Sequence, residues 1–127
     1  MTRTFSARLL LAAMVSSLAG CATVPPVKAA GPTEFVRQWA GTWNSMAGKG
    51  SGEVQLTIDK SLRLIVKTSN SSVPEWDALA EFQDGMLVVK RVTLQMELRL
   101  FADGRLRATY SNERNGDYGT WTLSAQD

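Results

Sequence analysis

The sequence predicts an all-β domain, a small eight-stranded antiparallel up-and-down barrel preceded by a short helix. From Gly41 onward, apolar and polar residues alternate with a period of two, as in strands that bury one face. Short turn-forming segments separate the alternating runs, so strands that follow one another pair as hairpins. Closing such a meander on itself removes both exposed edges without long crossovers, which favours a barrel.

Eight strands are predicted from this alternation. The clearest run places Leu94, Met96, Leu98 and Leu100 on one face and polar residues on the other. An eight-stranded barrel has an interior just wide enough to be filled by side chains or to admit one small ligand. Because the inward residues are mostly Leu, Val, Ile and Met, much of the lumen is expected to be packed. The predicted strands are 41–47, 52–58, 62–69, 76–83, 86–91, 93–101, 105–111 and 118–124.

Two hairpins have registers that can be predicted from their faces. A three-residue loop at 102–104, with the glycine in a left-handed conformation, pairs Leu100 with Leu106 and keeps both in the core. The same reasoning at 59–61 pairs Ile58 with Leu62. A register that paired a core-facing residue with a solvent-facing residue would be wrong.

A short helix is predicted over 33–40. Thr33 is an acceptable N-cap, and Phe35, Val36 and Trp39 fall on one side of a helix. About two turns cannot be stable alone, so we expect this helix to plug one end of the barrel.

The N-terminal segment has the pattern of an export signal. Arg3 and Arg8 are followed by an apolar stretch over 9–18 that is too short to span a bilayer. The stretch ends in Leu18-Ala19-Gly20-Cys21, which resembles the lipobox of bacterial lipoproteins. The resemblance implies that residues 1–20 are removed and that Cys21 carries a lipid.

Three parts follow from that resemblance: a signal peptide at 1–20, a lipidated flexible tether at 21–32 and a barrel domain at 33–127. The tether contains three of the four prolines of the chain and has no apolar period. Ala22 is not the aspartate that retains lipoproteins in the inner membrane in enterobacteria-type sorting. We therefore expect attachment to the outer membrane, with the domain facing the periplasm.

Composition argues against several function classes. Without Arg3 and Arg8, the 14 basic side chains become 12, equal in number to the acidic ones, so a nucleic-acid partner is not expected. The chain has no histidine and a single cysteine. The common zinc sites and the Ser-His-Asp and Cys-His arrangements therefore cannot form, and we expect no metal, no cofactor and no enzymatic activity.

Gly41-Thr42-Trp43, at the start of the first predicted strand, resembles the G-x-W element of lipocalins and the wider calycin superfamily. The closing stretch Gly119-Thr120-Trp121-Thr122-Leu123 is similar to the last strand of small bacterial lipoproteins of this shape. The resemblance implies a lipocalin-like barrel in which the tryptophan lies across one end and the lumen carries a small hydrophobic ligand.

The aromatic residues are the candidate ligand contacts. Trp43, Trp76, Tyr110 and Trp121 could line a binding mouth, although packing in the core is the favoured explanation for Trp43 and Trp121. Trp76 follows a polar loop at 68–75, which is the best candidate for a lid at the rim.

Two charged clusters have simpler explanations than a site. The predicted register opposes Arg99 to Arg107, with Arg105 one pair along, so either nearby carboxylates such as Glu97 neutralise them or an anion or acidic partner does. The carboxylates Glu75, Asp77 and Glu81 could support acid and base chemistry, but their spacing is typical of a solvated strand face.

Two functions remain open. The first is a non-enzymatic lipoprotein whose barrel binds a hydrophobic small molecule or lipid, in the lumen or at the rim near Trp76. The second is an interaction module that docks another envelope protein, as assembly factors, secretion pilots and inhibitors do. A cavity lined by Leu56, Leu64, Leu98 and Tyr110 would favour the first, and a solid interior with an exposed apolar patch the second.

Overall fold

One antiparallel sheet curls into a nearly closed barrel in the computed structural model, which describes residues 24–126. The predicted all-β class is therefore confirmed. A 3-10 helix, Pro32–Phe35, precedes the barrel. The strands are β1 (Pro26–Val27), β2 (Gln38–Ser45), β3 (Ser51–Ile58), β4 (Arg63–Thr68), β5 (Glu75–Leu79), β6 (Glu81–Gln83), β7 (Met86–Lys90), β8 (Leu94–Phe101), β9 (Leu106–Asn112) and β10 (Asp117–Gln126).

The described residues form ten strands rather than the predicted eight. The two-residue β1 was not expected, and the predicted strand 76–83 is divided at Ala80 into β5 and β6. The order of the sheet is β5-β4-β3-β2-β10-β9-β8-β7-β6, so β5 and β6 form its two ends. Ala80 joins them and donates its N–H to the carbonyl of Leu62, 2.9 Å away. At Ala80 the chain therefore passes from β5, which pairs with β4, to β6, which pairs with β7. This residue brings the two ends of the sheet together.

The barrel is packed solid at one end. Phe35 is completely buried and meets Phe82 edge to face, with ring centroids 6.3 Å apart. Beside it the indole N–H of Trp39 donates to the Phe35 carbonyl at 3.1 Å. Above this plug lie fully buried aliphatic side chains from six strands: Leu56, Ile58, Leu64, Leu87, Leu98, Leu106 and Leu123. We call this half of the molecule the plugged end.

The predicted helix over 33–40 is wrong in extent but right in its role as a plug. Only Pro32–Phe35 is helical, and β2 already begins at Gln38. Gln38 pairs with Thr57 on one side and with Gln126 on the other. Hydrogen bonding to two neighbouring strands outweighs the weak helical tendency of so short a segment.

The register predicted at 102–104 is confirmed. Leu100 pairs with Leu106, and Gly104 adopts a φ of 82° in the loop. The register predicted at 59–61 is wrong by two residues, because Ile58 pairs with Leu64. The loop residue with positive φ is Leu62.

The side chain of Asp59 explains the shifted hairpin. Its carboxylate accepts hydrogen bonds from the N–H groups of Ser61 and Arg63, at 2.9 and 3.0 Å, and from the Ser61 hydroxyl at 2.6 Å. The hydroxyl bond is the main reason that the pKa of Asp59 lies below its ordinary value. This capped turn compensates for the strain of Leu62 at φ 68°.

Part of the segment expected to be a flexible tether is attached to the plugged end. β1 pairs with Leu100 and Phe101 of β8, and the carbonyl of Pro25 accepts the Ala102 N–H at 3.0 Å. Ala29 donates to the Gly85 carbonyl at 3.2 Å and is only 5% exposed. The folded unit therefore begins near residue 25 rather than at 33. The signal segment 1–20, Cys21 and Ala22 lie outside the described residues.

Candidate ligand-binding cavity

A cavity of about 870 Å³ occupies the end of the barrel opposite the plug. Successive hairpins of a meander point alternately to the two ends, so the loops at 46–50, 69–74, 91–93 and 113–116 meet there. We call this the cup. The residues that line it are Trp43, Lys49, Thr68, Asn70, Ser71, Ser72, Val73, Trp76, Arg91, Val92, Thr93, Leu94, Met96, Tyr110, Asn112, Arg114, Asn115, Asp117 and Trp121.

All four aromatic residues that the sequence suggested as ligand contacts line the cup. Trp43 and Trp121 are directly paired across β2 and β10 and are only 6% and 4% exposed. Trp76 lies against Trp121, with ring centroids 6.1 Å apart and the planes tilted by 53°. Trp43 and Trp121 are therefore core residues and cavity residues at once, because they form the floor of the cup.

Hydrogen bonds fix the positions of two of these rings. The indole N–H of Trp43 donates to the Ser69 carbonyl at 2.8 Å, which ties the floor to the loop that follows β4. The hydroxyl of Tyr110 donates to Asp117 at 3.2 Å, and the Ser45 hydroxyl donates to the other carboxylate oxygen at 2.5 Å. Burial, followed by the charge of Asp117, raises the pKa of Tyr110 to about 12, so the phenol stays neutral under ordinary conditions.

The loop expected to act as a lid forms one wall of the cup. It is held to the end of β4, where the Thr68 N–H donates to the Pro74 carbonyl at 2.8 Å. The hydroxyls of Thr68 and Ser71 lie 2.6 Å apart. These bonds give the wall a defined shape, while Val73, which lines the cup, remains more than half exposed.

The structure adds residues to the site that the sequence interpretation did not single out. Met96 joins the floor and is buried, whereas Lys49, Arg91, Arg114 and Asp117 surround the mouth. They could have been identified from the sequence, because every second hairpin loop of a meander lies at the same end of the barrel. All four charged residues lie in or next to loops at the same end of the barrel.

The cavity does not lie where the sequence suggested that a lumen would lie. Tyr110 lines it, but Leu56, Leu64 and Leu98 are fully buried in the packing below and do not. Close packing at the plugged end leaves these leucines no free surface. The cavity is consequently a half-depth cup near Trp76 rather than a tunnel through the barrel.

The arginine cluster lies on the outer wall, away from the cup. Arg99 opposes Arg107 directly, as predicted. Glu97 pairs with Arg99 at 3.2 Å, and Asp103 pairs with Arg107 at 2.9 Å. The bond from Arg107 is the main reason that the pKa of Asp103 is lowered. The neighbouring carboxylates thus supply the neutralisation that the opposed charges require, and Arg105 is exposed beside them.

The acidic residues Glu75, Asp77 and Glu81 are all exposed on the outside of β5 and β6. Asp77 forms an ion pair with Arg63 at 2.7 Å. Their predicted position on a solvated face is confirmed.

Three kinds of comparison give no relative for this chain. No family model, no curated protein and no solved structure matches it. Within residues 24–126, no helix has the length and apolar character needed to cross a membrane. The same part of the chain contains no cluster of three acidic, histidine or cysteine residues placed to hold a metal ion.

Proposed function

We propose that the cup binds one small apolar molecule, or the apolar part of a lipid, and that this binding is the function of the domain. The observation that supports it best is the meeting of Trp43, Trp76, Tyr110 and Trp121 around a single cavity. Its volume of about 870 Å³ lies within the range of roughly 300–1,000 Å³ that is common for small-molecule sites.

The arrangement of the tryptophan floor favours the binding of a ligand. A fixed floor of Trp43 and Trp121 needs little reordering when a ligand arrives, so little conformational entropy is lost. Trp76 is only partly buried by the protein, and a ligand lying on it would remove more of its apolar surface from water. Ligand burial therefore adds stabilisation that the protein alone does not obtain.

We also propose that the domain is a lipoprotein of the outer membrane, attached through Cys21 and facing the periplasm. The four residues 21–24 could reach about 13 Å before the attached segment begins at Pro25. Pro25 bonds to Ala102, at the tip of a hairpin of the plugged end. A lipid on Cys21 would consequently hold the plugged end near the membrane and direct the mouth of the cup away from it.

The binding proposal is tested with N-phenyl-1-naphthylamine, an uncharged aromatic probe whose fluorescence increases in apolar surroundings. We expect saturable binding of one probe per chain. Trp76→Ala should weaken binding by about tenfold, since it removes one aromatic wall and the area that it buries.

The matched control is Tyr118→Ala, which removes an exposed aromatic side chain that does not line the cup. This variant should bind the probe as the wild type does. Absence of saturable binding, or equal weakening by Trp76→Ala and Tyr118→Ala, would refute the proposal.

The second candidate function, docking of another envelope protein, has one specific observation in its favour. Ile65 and Leu79 are 44% and 60% exposed on the outer faces of the paired strands β4 and β5. If the domain works by docking, Ile65→Ser with Leu79→Ser should abolish cross-linking to an envelope protein in intact cells. The ligand-binding proposal predicts that this double variant leaves probe binding unchanged.

A further inference from the structure

The mouth of the cup carries an excess of positive charge. Among the residues that line it, Lys49, Arg91 and Arg114 are basic and Asp117 is the single acidic one. The whole chain has an excess of only two positive charges, so the basic character of the mouth is local. A local excess of this kind raises the concentration of anions near the opening.

The carboxylate that lines the cup already has hydrogen-bond partners. Asp117 accepts from the hydroxyls of Ser45 and Tyr110 through its two oxygens. In the described part of the chain, the salt bridges join Arg63 to Asp77, Arg99 to Glu97 and Arg107 to Asp103. None of them includes Lys49, Arg91 or Arg114, so these three cations are free to meet an anionic group.

Arg91 connects the charged mouth to the aromatic interior. Its guanidinium lies 5.7 Å from the centroid of the Trp76 ring and donates to the Asp77 carbonyl at 3.3 Å. These contacts hold a positive charge over the aromatic wall of the cup. A ligand whose apolar body lies against Trp76 would therefore have its end close to this charge.

We propose that the ligand is an amphipathic anion, with its apolar body on the tryptophan floor and its carboxylate, sulfonate or phosphate at Arg91 and Arg114. This inference rests on the proposed binding function and specifies the chemical class of the ligand. The apolar floor selects the body and the cationic mouth selects the head. An uncharged molecule of the same shape binds with the floor alone.

Two probes with the same aromatic body separate the two contributions. 8-Anilino-1-naphthalenesulfonate carries a sulfonate on the ring system of N-phenyl-1-naphthylamine, which is uncharged. The expected result with the full-length protein is tighter binding of the anionic probe. Arg91→Gln combined with Arg114→Gln should weaken the anionic probe by about three- to tenfold, given the small contribution of each exposed charge pair. The uncharged probe should be weakened less than the anionic probe, so the ratio of the two affinities should fall.

Arg37→Gln provides a matched control for Arg91→Gln. Arg37 also lies 5.7 Å from a tryptophan ring, that of Trp39, but it belongs to the plugged end. This substitution should leave both probes unaffected. Raising the salt concentration should weaken only the anionic probe, because screening acts on exposed charges.

The outcomes distinguish this inference from the binding function on which it rests. If neither probe binds, the binding function itself fails. If both bind equally, or if the double arginine variant does not change their ratio, binding stands and the anionic class is overturned. If the anionic probe binds more tightly and the double arginine variant removes that advantage, competition by laurate or by phosphatidylglycerol vesicles identifies a free anion or a membrane lipid as the source. If neither laurate nor the vesicles displace the anionic probe, the inference is also overturned.

Discussion

Phe35→Ala should remove the plug and destabilise the barrel strongly. The Phe35 side chain is completely buried and packs edge to face on Phe82. Its removal leaves a cavity against Trp39 and the lowest layer of aliphatic side chains, which are held by the rest of the sheet and relax only partly. The hydrogen bond from the Trp39 indole remains, since its acceptor is the backbone carbonyl of residue 35.

Substitutions of this kind reduce the free energy of unfolding by about 3–5 kcal/mol. That is a large share of the roughly 5–15 kcal/mol that stabilises a typical domain. With a urea dependence of roughly 1–3 kcal/mol per M, the unfolding midpoint should fall by about 2 M. The exposed Tyr118 offers a control, because Tyr118→Ala should change the stability by no more than about 0.5 kcal/mol.

The assay is urea unfolding followed by tryptophan fluorescence and by circular dichroism. A second variant, Phe35→Leu, keeps the experiment informative if Phe35→Ala does not fold, and it should lose about half as much stability. At low urea the folded variants should still bind N-phenyl-1-naphthylamine, because the cup is at the other end. A loss below about 1 kcal/mol for Phe35→Ala would show that this residue does not plug the barrel.

Three further predictions follow from the structure. Gly85→Ala should destabilise more than Gly104→Ala in thermal unfolding, because both have positive φ but only at Gly85 would the new methyl group meet Lys28 and lie 3.0 Å from the Ala29 nitrogen; equal losses would argue against docking of the N-terminal segment. The raised pKa of Tyr110, about 12 against 10.0, means that its contribution to stability is present below pH 10 and is lost as the pH rises from 10 to 12. Urea midpoints should therefore fall less over that interval in Tyr110→Phe than in the wild type, and identical slopes would contradict the burial of the phenol. Arg99→Ala and Arg107→Ala should leave sedimentation with anionic vesicles unchanged, because Glu97 and Asp103 already pair with these arginines; weaker sedimentation would instead identify an anion-binding outer wall.

The strands could be predicted from the sequence because their signal is local. Alternation in β8 and β9 identifies the buried face directly, and the loop at 102–104 then has only one register that keeps Leu100 and Leu106 together. The break at Ala80 could not be predicted in this way. It occurs where the two ends of the sheet meet, and that position depends on the curvature of the whole barrel.

The start of β2 and the attachment of the N-terminal segment were missed for a related reason. Gln38 joins the sheet because strands distant in sequence lie on both sides of it. Ala29 is buried by the turn at Gly85, far along the chain. Local composition, rich in proline and small residues, gives no sign of either contact.

The site was predicted in part. Trp43, Trp76, Tyr110 and Trp121 are large amphipathic residues that the sequence makes conspicuous, and the cup brings all four together. The depth of the cup was not predictable, because it depends on how fully Leu56, Leu64 and Leu98 fill the barrel below. The cationic mouth was missed, since its members belong to three loops that meet only in the folded barrel.

The most direct test of a half-packed barrel that carries a ligand is native mass spectrometry of the full-length protein purified from its own envelope. We expect a species with one bound small molecule per chain, which is lost in the Trp76→Ala protein and retained in the Tyr118→Ala protein. A protein that carries no small molecule, or one found only in complex with another protein, would contradict ligand binding by the cup.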